Sequence, residues 1–186
     1  PAWNPDGTEV LFTRHQRGAR LQVMSVQRLG GRPRPLVADA TEAALSEDGR
    51  WLAFVREVPP GNQTRVFVAS MDSPSFATQL THAEQGLWDH RHPSWSPDGN
   101  WLCYHAQYAL WIISCGGGGS KQITPSGVSA TDPIWSRDGR WVYYTSTADG
   151  LPALWKVSFD GGTPQRVRSS SGAEREPSLS RDGMVL

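Results

Sequence analysis

Short apolar runs alternate with turn residues along the whole chain, and none continues with the three-to-four spacing of a helix. Val10-Leu11-Phe12, Trp51-Leu52-Ala53-Phe54, Trp101-Leu102-Cys103-Tyr104 and Trp141-Val142-Tyr143-Tyr144 each follow an Asp-Gly pair. A shorter run precedes each pair: Ala2-Trp3, Ala44-Leu45, Ser94-Trp95 and Ile134-Trp135, with Ser178-Leu179 before a fifth. Asp-Gly between two such runs predicts a hairpin, because glycine takes positive φ without a Cβ clash and the aspartate bonds to nearby backbone N–H groups.

The turn pairs Asp6-Gly7, Asp48-Gly49, Asp98-Gly99, Asp138-Gly139 and Asp182-Gly183 are read as structural. Their aspartates lie 42, 50, 40 and 44 residues apart. Third runs follow at 21–25, 66–70, 110–114 and 154–158. After a Gly- or Pro-rich turn, fourth runs centre on Leu36, Leu80, Ile123 and Val167. Four strands at a period of 40 to 50 residues predict an all-β fold, a β-propeller of four-stranded antiparallel blades.

The strings Pro-Ser-Trp-Ser-Pro-Asp-Gly-Asn-Trp-Leu, Ala-Leu-Trp-Ile-Ile-Ser and Lys-Gln-Ile-Thr resemble the WD40-like propeller repeat of TolB-type proteins. That resemblance extends over essentially the whole chain. It implies a recognition or scaffold module, of the kind found in bacterial periplasmic TolB, in propellers that accompany prolyl-oligopeptidase-like and tricorn-like serine peptidases, and in sensor regions of membrane-bound regulators and kinases. An extracytoplasmic location follows from the resemblance alone. The same fold serves several functions, so the repeat does not choose among them.

The repeats divide the chain into blades at 1–41, 42–92, 93–132 and 133–175, with a fifth beginning at 176–186. Four blades and a fraction read as a single partial propeller domain of a larger protein. Its open strand edges would favour self-association.

Composition narrows the partners. Lys plus Arg (18) balances Asp plus Glu (18), which gives no general attraction to nucleic acid or anionic lipid. No apolar run reaches the roughly 18 residues of a membrane-spanning helix. A protein or peptide partner is expected, without nucleic-acid contact or membrane insertion. Six arginines gather in the first repeat (14, 17, 20, 28, 32, 34), but on two loops at opposite ends of the blade. Cys103 should oppose a residue near Ile112 rather than Cys115, so two separate thiols are expected. Nine tryptophans, most at repeated positions, are expected to pack blade on blade.

No Gly-x-Ser-x-Gly elbow, Walker loop or His-Glu-x-x-His string is present, so no catalytic residue, cofactor or metal site is assigned. In a four-stranded meander the Asp-Gly and Gly-rich turns fall at one end. The longer, more polar second-to-third loops (14–20, 56–65, 105–109, 146–153) and blade-to-blade loops (38–43, 82–92, 125–132, 168–176) fall at the other. That end is the candidate partner surface, since loops on a rigid scaffold carry recognition. The candidates there are Trp88, Asp89, His90, Arg91, His92, His105, Tyr108, Asp132 and Glu176. His92-Pro93, Asp132-Pro133 and Glu176-Pro177 occupy equivalent places before a first strand. If the chain is extended there, His90 and His92 face one side and Asp89 the other.

Overall fold

A computed structural model of the chain describes residues 1–15, 20–59, 61, 63–83, 89–127, 129–167 and 177–178. Among these residues there is no helix, and sixteen strands form four sheets. The first holds β1 (Ala2–Trp3), β2 (Glu9–Arg14), β3 (Gln22–Gln27) and β4 (Arg34–Ala38). The second holds β5 (Thr41–Leu45), β6 (Trp51–Val58), β7 (Gln63–Ser70) and β8 (Ala77–Gln79). In the third are β9 (His90–Trp95), β10 (Trp101–Ala106), β11 (Ala109–Ser114) and β12 (Lys121–Gln122). The fourth has β13 (Ala130–Trp135), β14 (Trp141–Ser146), β15 (Ala153–Ser158) and β16 (Gln165–Arg166). Each sheet runs in chain order, first strand to fourth. These meanders are the blades of a β-propeller. The expected start of a fifth blade lies outside the described residues, apart from Pro177 and Ser178.

Contacts divide the chain into two compact units, residues 1–93 and 94–186, with the division inside β9. In the first unit Leu11, Val23, Leu36 and Val37 pack with Leu52, Phe54, Phe67 and Ala69 in one buried cluster. Phe54 and Phe67 are direct cross-strand partners with rings stacked 6.0 Å apart. In the second unit Cys103, Leu110, Ile112, Trp135, Val142, Tyr144 and Val157 form the corresponding core. Cys103 stands opposite Ile112, as the register predicted, and both cysteines are free thiols. Burial raises the Cys103 thiol pKa and pushes Cys115 up to about 11, so neither is a reactive thiolate at neutral pH.

One turn recurs with nearly the same bonds in three blades. The buried Ser46 hydroxyl donates to Asp48 Oδ1 (2.6 Å) and accepts the Trp51 N–H (3.0 Å), while Asp48 accepts the Arg50 N–H (3.0 Å). Ser96/Asp98 and Ser136/Asp138 repeat this arrangement with the same 2.6 Å hydroxyl contact. In the first blade Asn4 replaces the serine, and its Oδ1 accepts the Thr8 and Glu9 N–H groups. The glycine that closes each turn has φ of 69° to 71°, a conformation that suits a residue lacking Cβ.

The fourth strands stop earlier than expected at Leu80 and Ile123, because the following threonine takes over. Thr81 Oγ1 accepts the Val66 N–H (2.9 Å) and Thr124 Oγ1 the Leu110 N–H (2.8 Å). The first strands, in contrast, begin earlier than expected. Residues 41–43, 90–92 and 130–132, read from sequence as loop, belong to β5, β9 and β13. Three of the second-to-third loops are also shorter. Arg56 and Arg65 pair within β6 and β7, and only Gln107 and Tyr108 separate β10 from β11. The tryptophans divide: Trp95, Trp111 and Trp135 are buried, whereas Trp3 and Trp51 stay 58% and 45% exposed. Trp135 packs on Phe159 of its own sheet (5.5 Å); in the first sheet that place is Arg28, which offers Trp3 no apolar ledge.

Removing the turn serine strands the Trp51 N–H, so Ser46→Ala should cost about 1–2 kcal/mol, read by denaturant midpoint. Hydrogen bonds from Ser46 and Arg50 hold the Asp48 pKa down, from 3.8 to about 2. The stabilisation it gives is complete above pH 3.8 and is lost as pH falls through about 2. Asp48→Asn should flatten the acid limb of the stability curve between those values; an unchanged limb would refute this.

Candidate functional site

The polar end of the first unit is organised by a residue the sequence reading passed over. Glu42, His92 and Asp132 all lie two positions before the last two residues of a first strand, and all are left-handed, with φ of 50°, 50° and 53°. The ladder shifts register there, between Thr41 and Ala44 and between Thr131 and Ile134, as a β-bulge does. Proline marked the position in sequence after His92 and Asp132. Ala43 follows Glu42, so the equivalence was hidden, although the spacing to Leu45, Trp95 and Trp135 would have exposed it.

A left-handed non-glycine residue needs its surroundings to hold it. For Glu42 they do. Its N–H donates to Thr13 Oγ1 (3.3 Å), and its carboxylate accepts the His92 N–H (2.8 Å) and Arg91 Nη1 (3.1 Å). Arg91 Nε donates to Asp89 Oδ1 (2.8 Å), and Asp89 in turn accepts from Thr64 Oγ1 (3.2 Å). Asp89 also bridges Thr64 through the backbone. Burial alone would lower the Arg91 pKa, but the bonds and charges of Asp89 and Glu42 outweigh it and hold the guanidinium above its ordinary value.

The stretch Asp89–His92 is therefore not a pair of histidines on one side of an extended strand. The left-handed turn at His92 breaks the alternation: His90 is buried (1% exposed), while Arg91 and His92 are partly buried and tied to Glu42. Among the described residues no three of His, Cys, Asp and Glu gather as metal ligands would.

Arg91 and Thr64 border a cleft of about 580 Å³ with Arg20, Asp39, Arg56 and Glu57. Arg20 pairs with Asp39 (2.7 Å). Arg56 donates to the carbonyls of Ala38 and Asp39 and lies over the rings of Phe54 and Phe67 at 5.2 and 5.0 Å. Three arginines thus meet Asp39, Glu57 and, behind Arg91, Asp89 and Glu42. The cleft is close to neutral and dense in both donors and acceptors.

In the second unit Asp132 accepts the Thr131 hydroxyl (2.8 Å) and borders a cleft of about 270 Å³ lined by Ser129, Thr145, Ser146 and Thr147. His105 lies in β10, buried, and its Nε2 accepts the Tyr108 N–H (3.2 Å). It braces its hairpin, while the Tyr108 ring is exposed. Trp88 and Glu176 lie outside the described residues, as do Asp182 and Gly183.

A family model described as the TolB beta propeller domain matches residues 92–186, just over half of the chain. The chain belongs to the TolB beta propeller domain family. Solved structures agree in fold. A protein assigned as TolB in Agrobacterium tumefaciens is 23% identical with a TM-score of 0.78, over 98% of this chain and 66% of that one. TolB from Acinetobacter baumannii is 17% identical with a TM-score of 0.79, over 98% of this chain and 46% of that one. A puromycin-hydrolyzing peptidase from Mycobacterium tuberculosis is 16% identical with a TM-score of 0.65, over 96% of this chain and 34% of that one. The chain thus spans just under two thirds of the first TolB structure and under half of the second. No curated protein matches it in sequence.

Left-handed geometry at His92 makes a specific demand. His92→Val should destabilise by about 1–2 kcal/mol, because a β-branched residue resists positive φ. His92→Asn should cost clearly less. Equal losses in urea denaturation would contradict the bulge.

Proposed function

We propose that this propeller is a non-catalytic recognition module whose protein or peptide partner docks on the polar end of the blades. The mixed-charge cleft of Arg20, Asp39, Arg56, Glu57 and Arg91 carries this reading. A polyanion needs unpaired cations, but Arg20 and Arg91 are already neutralised by carboxylates. A polypeptide offers both N–H and C=O groups and charges of either sign, which suits alternating donors and acceptors. Membership of the TolB family supports the same reading, with the periplasm of a bacterium as the compartment. Likeness to a peptidase supports a second one: a propeller that gates access to a serine peptidase domain elsewhere in the protein. A hydrolase domain encoded beside these repeats would select it.

Peptides selected on the immobilised chain from a display library test the first reading. Exposed Glu57→Lys and Arg20→Glu should weaken the selected peptides by about tenfold, as rim charges tune recognition, and Arg166→Ala should not. Peptides that bind all three variants equally would remove the cleft from recognition.

A further inference from the structure

At the Asp-Gly end of the second unit, Trp101, Trp135 and Phe159 line a cleft of about 270 Å³ whose border includes Asp98, Asp138 and Arg137. Phe159 stands edge-on to Trp101 (5.2 Å, 68°) and tilted to Trp135 (5.5 Å, 43°). The rings are inclined to one another, so they form a corner rather than a stack. Trp135 is fixed there by its Nε1 donating to the Ser94 carbonyl (3.0 Å).

This corner is not a consequence of the repeat. In the first unit the same turns, at Asp6 and Asp48, frame the equivalent place. There Glu9 opens β2 as Trp101 opens β10, Leu45 ends β5 as Trp135 ends β13, and Met71 follows the third strand as Phe159 does. Three aromatics have replaced a carboxylate and two aliphatic side chains, while the two turn aspartates are kept. The next repeat shows what a tryptophan at this position attracts: Lys156 Nζ lies 4.3 Å from the ring centre of Trp141, the counterpart of Trp101. In the blade of Trp101 the residue matching Lys156 is Ile112, so no cation stands at that position; the blade's own Lys121, opposite Ile112, donates its Nζ to the Asp160 carbonyl (2.8 Å).

Charge points the same way. Among the described residues Asp98 accepts from the Ser96 hydroxyl, from the backbone and side chain of Asn100 and from its own N–H, all neutral groups. Asp138 has a long ion pair to exposed Arg140 (3.7 Å). Their serine hydroxyls lower both pKa values, so both carboxylates are ionised at neutral pH.

We infer that this corner is a cation site for a quaternary ammonium group, held against the partly exposed rings of Trp101 and Phe159, which nearly buried Trp135 supports, and by the field of Asp98 and Asp138. A weakly hydrated alkylammonium enters such a corner without losing the strong hydration shell of a bare ammonium. Arg137, which makes no hydrogen bond or ion pair among the described residues, is the competing charge at the border.

Tryptophan fluorescence and calorimetry on the full chain, with choline chloride against sodium chloride of equal ionic strength, test the site. Choline should bind saturably. Its neutral isostere 3,3-dimethylbutan-1-ol should bind at least about tenfold more weakly, since it keeps the shape and loses the charge. Asp98→Asn with Asp138→Asn preserves the turn acceptors and should weaken choline by about tenfold; Arg137→Ala should tighten it. Trp101→Leu, at a partly buried position, should abolish binding while the chain still unfolds cooperatively. A blocked trimethyllysine binding more tightly than choline would assign the ammonium to a peptide side chain, and the reverse to a free metabolite. Equal binding of the neutral isostere, no saturable binding of either ammonium, or full binding by folded Trp101→Leu would overturn the site.

Discussion

A serine hydroxyl shared between an aspartate and a backbone N–H is the interaction on which each blade after the first depends. Ser46, Ser96 and Ser136 each donate to the turn carboxylate and accept the N–H of the tryptophan that opens the second strand. Those paired bonds fix the offset between first and second strands. A slip of one residue would turn every side chain to the other face. With the register set, Leu52, Leu102 and Val142 all point into a core and all have no exposed surface. The turn also positions its tryptophan, which then packs, takes a cation or faces solvent according to its neighbours.

The first strand is tied at its turn end and released at the other. There the bulge at Glu42, His92 and Asp132 directs a polar side chain out of the ladder. In the first unit this converts a bend into a network, because Glu42 holds both the His92 N–H and Arg91. Three separate stretches of chain, around Thr13, Thr64 and Asp89, are thereby fixed beside one cleft. Its surface is polar and its charged groups are bonded to one another.

The two ends of the blades therefore differ in kind. At the polar end, charges are mutually satisfied and the recognition proposed there rests on pattern. At the Asp-Gly end of the second unit, the turn carboxylates lack close cationic partners and share a cleft with aromatic side chains. The Asp-Gly end of the first unit lacks such a corner because a few repeat positions differ, with Glu9, Leu45 and Met71 in place of Trp101, Trp135 and Phe159.

By itself the sequence determined the period, the four-strand blade and the pairing of second with third strand. Asp-Gly turns and apolar runs are local signals, and the opposition of Cys103 to Ile112 follows from counting along a hairpin. It did not reveal where the first strands begin, because a left-handed bulge lets a strand continue through residues that read as loop. Nor could it show that Arg91 lies between Asp89 and Glu42, since Glu42 is 49 residues away in the chain. The single exposed tryptophan on β6 and the inclined trio of Trp101, Trp135 and Phe159 look alike in sequence: aromatic residues at regular spacing. Only the packing of one sheet on the next decided which of them became core, which met a lysine, and which framed an acidic cleft.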